Sequence, residues 1–196
     1  MKIIIRKDTI QPMLDFCREF KGGHFDRSRL EKLLDHEDYG VEFTRYQQDI
    51  SKTAFMDYFE KIFETSVEKI ENMRLKIHYE YFMDFMAQID QWDANYKFLF
   101  DHLNEDWIKE GIQYALTGLP DEIQFDEIQV LFTLSIGNSF GWPFIQENLI
   151  HFDFVKFFDF LDIHTDEGIL KFKALIGHEF HHIGIQWLYE RIETKS

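Results

Sequence analysis

The chain has 196 residues, 45% hydrophobic and 29% charged, a globular balance for one domain of ordinary size that excludes intrinsic disorder as the default. Its 21 Lys and Arg against 36 Asp and Glu leave a net charge of −15, and Ile77 to Leu170, with 3 basic and 18 acidic residues, accounts for all of it. Such a field excludes a general nucleic-acid binder and disfavours an anionic membrane surface.

Met1 to Asp8 holds only three consecutive apolar residues, too few for a secretory signal, and no apolar run approaches membrane-spanning length. Cys17 is alone, so no intrachain disulfide can form and a reducing, cytoplasmic setting fits. Its expected role is helix packing beside Leu14 and Phe16. From Thr9 to about Leu116 the apolar spacing is helical: Phe55, Tyr58, Phe59, Ile62 and Phe63 share one stripe, and Leu75, Tyr79, Phe82, Phe85, Met86 and Ile89 another. Ser51 and Ser66 stand where N-caps belong, while Gly22-Gly23 and Gly40 predict breaks.

Thr117-Gly118-Leu119-Pro120 reads as a helix stop. Beyond it, Glu122 to Ile136 partly alternates and is rich in β-branched and aromatic residues. Gly137 to Pro143 supplies turn residues, and Asn148 to Phe154 alternates again. Two strands are expected, paired as a hairpin with a loop longer than the tight two-residue type. Helical spacing returns at Thr165-Asp166-Glu167-Gly168, whose hydroxyl and carboxylates suit a helix N-terminus. Ile169, Phe172, Ile176, Phe180, Ile183 and Trp187 form its apolar stripe. The expected architecture is a single α+β domain, with a helical part over 1–118, a strand pair over 119–155 and a last helix over 165–193.

Inside that helix, His178-Glu179-Phe180-His181-His182 forms H-E-x-x-H. Residues four apart lie one above the other on a helix face, so both imidazoles can reach one Zn²⁺ at about 2.0–2.1 Å. Glu179 falls about 100° round the helix, near enough to take a proton from water beside the metal. That combination suits amide hydrolysis without a covalent acyl-enzyme. His181 is expected near the site or on the surface, because the i, i+4 pair leaves Glu179 for catalysis. Glu179-x-x-His182 has the helix spacing of carboxylate-bridged di-iron bundles, which need a second copy; no other His here has Glu three residues before it. His102-Leu103-Asn104-Glu105-Asp106 approaches the inverted motif, but Asp106 replaces the final His, so a solvated helix end is expected.

These residues resemble the zincin-like metallopeptidases of gluzincin type, and among them the bacterial families of zinc-dependent peptidases. The resemblance runs from about Leu119 to Tyr189. It implies a zincin-like active-site helix under a mixed sheet whose edge strand, here Asn148 to Phe154, holds extended peptide by strand addition. It further implies Zn²⁺ as cofactor, His178 and His182 as its ligands, Glu179 as general base, and a peptide or protein substrate.

A catalytic zinc site takes three protein ligands. Gluzincins place the third on a later helix, whereas 14 residues follow His182. Ile185 and Leu188 stand where the metzincin pattern needs Gly and His. Glu190 is about 12 Å along the helix, too far to share the metal, and Glu193 returns only if the helix breaks. The upstream alternatives are His151, Asp153, Asp162 and His164. The other two accounts are a C-terminally truncated member, whose unfinished core would favour self-association, and an inactive one serving as a metal- or peptide-binding module. Outside this family, the chain would be an acidic helical interaction protein with an incidental motif.

Overall fold

The computed structural model describes residues 1–45, 51–61, 67–71, 73–134, 141–144 and 148–193. The chain divides into two units: Met1–Lys7, Phe98–Phe132 and Ser139–Ser196 form one, and Asp8–Lys97 with Thr133–Asn138 the other. Helices and one mixed sheet make it an α+β protein. Among the described residues no helix is long and apolar enough to cross a membrane.

The helical unit holds α1 (Ile10–Lys21), α2 (Arg27–Leu34), α3 (Glu37–Arg45), α4 (Lys52–Lys61), α5 (Met73–Ala87) and α6 (Ile89–His102) up to Lys97. Local chemistry sets several starts. The Asp26 carboxylate accepts the Arg29 N–H at 3.1 Å ahead of α2, and Ser51 Oγ accepts the Ala54 N–H at 3.1 Å ahead of α4. Phe16, Phe20, Phe59 and Phe82 knit the interior, with Phe59 meeting Phe82 edge-on at 4.7 Å and Phe20 at 5.3 Å. Phe55 and Phe59 of one expected stripe are buried, as are Phe82, Phe85, Met86 and Ile89 of the other. Ser66, Ile62 and Phe63 lie outside the described residues, as do the side chains of Tyr58, Leu75 and Tyr79. Gly22 and Gly23 end α1, with Gly23 at φ +88°. The break expected at Gly40 is absent. Gly40 is an exposed position inside α3, where the lost propensity, about 1 kcal/mol, is carried by the packing of Tyr39 and Val41.

The other unit holds a four-stranded sheet in the order β1-β2-β4-β3, built from β1 (Lys2–Arg6), β2 (Glu127–Thr133) up to Phe132, β3 (Gly141–Phe144) and β4 (Leu149–Asp153). β1 runs parallel to β2 with Ile3 opposite Ile128, and β3 runs antiparallel to β4 with Pro143 opposite Ile150. The same unit carries α7 (Glu105–Leu116), α8 (Phe154–Phe160) and α9 (Asp166–Glu193).

Three expectations change here. A strand, β1, opens the stretch assigned to helix; its three isoleucines suit a strand, and its partner stands 125 residues away. Gly141-Trp142-Pro143, expected as turn, forms β3, while 137–140 lie outside the described residues. Proline lacks the N–H that an interior ladder requires, so an edge strand is where it fits. As a result the expected edge strand is not one: β4 is interior, all five of its residues are buried, and its antiparallel partner is β3 rather than β2. Asn148, at φ 49°, belongs to the turn ahead of it.

Candidate functional site

α9 is anchored before it presents any chemistry. Thr165 Oγ accepts the Gly168 N–H at 3.1 Å, and Asp166 and Glu167 occupy the first turn, where they meet the positive end of the helix dipole. Phe172, Ile176, Phe180 and Ile183 are buried along one side, whereas Ile169 and Trp187 at the stripe's ends are only half-buried. Phe172 meets Phe157 edge-on at 5.3 Å, and Phe180 meets Phe125 at 5.4 Å. On its flank α9 touches α7 backbone to backbone. A Cβ at Gly177 would stand 2.8 Å from the Gly111 carbonyl oxygen, and one at Gly111 would strike the Lys173 carbonyl. Lys173 Nζ bonds Glu110 at 2.6 Å across the same seam.

This packing leaves His178 and His182 exposed on one face, one turn apart. Their Nε2 atoms are 3.3 Å apart and their rings nearly perpendicular, at 89°. Two nitrogens each about 2.05 Å from a shared zinc are separated by that distance when they subtend about 107°, close to a tetrahedral angle. The donor type and its spacing therefore fit two ligands of one zinc ion. Glu179 is 7% exposed and His181 half-buried.

No third His, Cys, Asp or Glu among the described residues joins the pair in a group able to hold a metal. Of the upstream alternatives, His151 and Asp153 are buried in β4, and the Asp153 carboxylate accepts the Lys156 N–H at 2.7 Å to cap α8. The His164 ring lies against Phe98 at 4.0 Å, and the Asp162 carbonyl accepts from the Thr165 backbone and hydroxyl. The run His102 to Asp106 is the junction of α6 and α7, where the Asn104 side chain accepts the Asp106 and Trp107 N–H groups.

Beside the pair lies a recess of about 390 Å³, walled by His178, His181 and Ala174 on α9 and by Tyr114, Ala115 and Gly118 at the end of α7. Sequence reading assigned the α7 residues no part in a site. The small residues Ala115 and Gly118 mark a recess only once α7 is known to lie against α9.

A family model described as "Putative zinc dependent peptidase (DUF5700)" matches residues 30–192, more than four-fifths of the chain and including the whole H-E-x-x-H run. No curated protein and no solved structure matches the chain.

Proposed function

The chain belongs to the family described as "Putative zinc dependent peptidase (DUF5700)", and from that premise we propose that His178 and His182 hold the zinc while Glu179 is the general base of peptide-bond hydrolysis. The observation that carries this reading is the 3.3 Å approach of the two Nε2 atoms on one exposed helix face. When bound, zinc polarises a carbonyl oxygen and brings the pKa of water to about 7. Glu179, one residue from His178 and turned toward the protein, takes the proton of the attacking water and returns it to the leaving amine. Burial shields that carboxylate from bulk water and holds it in place. The exposed face admits a polypeptide, and β3, an edge strand packed on α9, offers backbone groups to which an extended peptide can pair.

A second reading, a metal- or peptide-binding module without turnover, is favoured by one observation: the described residues supply two ligands and no third. Zinc analysis and hydrolysis assays on wild type, His178→Ala and Glu179→Gln separate the two. The proposal expects near-stoichiometric zinc in wild type, at least a tenfold loss of zinc affinity in His178→Ala, and retained zinc with at least a hundredfold loss of turnover in Glu179→Gln. Zinc retained by His178→Ala overturns the ligand assignment. Stoichiometric zinc without hydrolysis of any peptide favours the module.

A further inference from the structure

His178 and His182 give one chain two nitrogens for an ion that takes four ligands. The helix surface around them is shaped for one source of the other two. Residues four apart stand about 40° apart round a helix, and Ala174, Ile185 and Tyr189 fall within about 60° of the direction the pair faces. Ala174, His178, His182 and Tyr189 are exposed and Ile185 is half-buried, so the strip is open to another molecule. Its charges are already placed. Between Phe172 and Tyr189, Lys173 bonds Glu110 and Glu179 is buried. On a chain of net charge −15, whose copies repel each other, an uncharged strip is where two of them can approach.

A pair of residues four apart is self-complementary under a two-fold axis. With that axis crossing α9 between His178 and His182, an antiparallel second copy brings its own His182 beside His178 and its His178 beside His182. Ala174, one turn before His178, is small enough to let the two helices come close. Each pair subtends a near-tetrahedral angle at the ion, so two pairs complete a tetrahedron.

We propose that a second copy of this chain docks on the exposed face of α9 and that one zinc ion is held between them by His178 and His182 of both copies. The proposal rests on His178 and His182 being the metal pair. Four protein nitrogens make a closed site, without the open position that water or a peptide carbonyl needs. The linked dimer is therefore a latent form of the peptidase, and a single chain with an ion of its own is the open form. The ratio of zinc to chain selects between them: at half an equivalent each ion is shared, and in excess zinc each pair fills separately and the dimer parts.

The test follows mass by sedimentation equilibrium, together with bound zinc, as zinc chloride is added to the chelator-treated full chain. The mass should rise from 23.8 kDa toward twice that value, peak near one zinc per two chains, and fall back once zinc exceeds one per chain. Ala174→Arg, which sets a bulky cation on the strip from an exposed helix position, should bind one zinc per chain and stay at the single-chain mass throughout. Turnover per bound zinc should rise several-fold between half and two equivalents in wild type and stay level in that variant. Wild type that binds one zinc per chain and never dimerises overturns the shared site while leaving the metal reading intact, whereas wild type that binds no zinc overturns both. A dimer that persists in chelator or in His178→Ala, or growth beyond two copies, shows a contact of another kind and likewise overturns the proposal.

Discussion

Cys17 is the chain's one thiol, and it is fully buried in α1, where loss of hydration pushes its ionisation well above the ordinary thiol range. That is the environment of a packing residue and the opposite of an activated nucleophile. The linkage has a definite sign. The unfolded chain ionises this thiol above about pH 8.5, whereas the folded chain holds it protonated, so the contribution is intact below that pH and lost as pH rises. Wild-type stability should therefore fall relative to Cys17→Ala by about 1 kcal/mol between roughly pH 9 and 10. Urea denaturation of both proteins across that range checks it; parallel pH profiles would show that the thiol ionises alike in both states. At this same scale the shared face of His178 and His182 was legible in the sequence, because a spacing of four residues fixes both imidazoles to one helix face wherever the helix lies. A third ligand was not legible, since any ligand from another element depends on tertiary placement that spacing does not encode.

Among the elements, α9 was the most legible and β1 the least. The α9 start, buried stripe and exposed histidine face all follow from a 3.6-residue period and an N-cap, both local properties. β1 pairs with β2 across 125 residues, and nothing local in Lys2–Arg6 names that partner. β3 was misread because Gly and Pro mark turns by local preference, whereas an edge position tolerates both. Placing β3 outside β4 is also what moves the open edge, and with it the candidate peptide track, from β4 to β3. The position of α9 depends most on Phe172, which is fully buried between Phe157 at 5.3 Å and Phe152 at 6.1 Å. Phe172→Ala should cost about 3–5 kcal/mol, read as a lower urea midpoint with an unchanged slope. Zinc affinity should weaken less than in His178→Ala, because the i, i+4 geometry belongs to the helix and survives wherever the helix does. Equal loss in the two variants would mean that the pair is formed by packing and not by helix periodicity.

For the molecule as a whole, the charge that dominates the sequence does not belong to one unit. The sheet-bearing unit carries 9 basic and 17 acidic residues, a net −8, and the helical unit 12 and 19, a net −7, so the acidic run from Ile77 to Leu170 is divided between them. The unit that bears His178 and His182 is thus acidic in its own right. A negative field of this kind raises the local concentration of cations and of cationic substrates, and it is screened over about 10 Å at 0.1 M salt. Peptides with Lys or Arg at positions remote from the scissile bond should therefore be cleaved with kcat/KM falling several-fold between about 0.01 and 0.5 M salt, while Glu-flanked peptides rise. The effect should enter through KM, since a long-range field acts on encounter and leaves the chemical step alone. Rates indifferent to both ionic strength and remote substrate charge would assign the acidity to solubility alone.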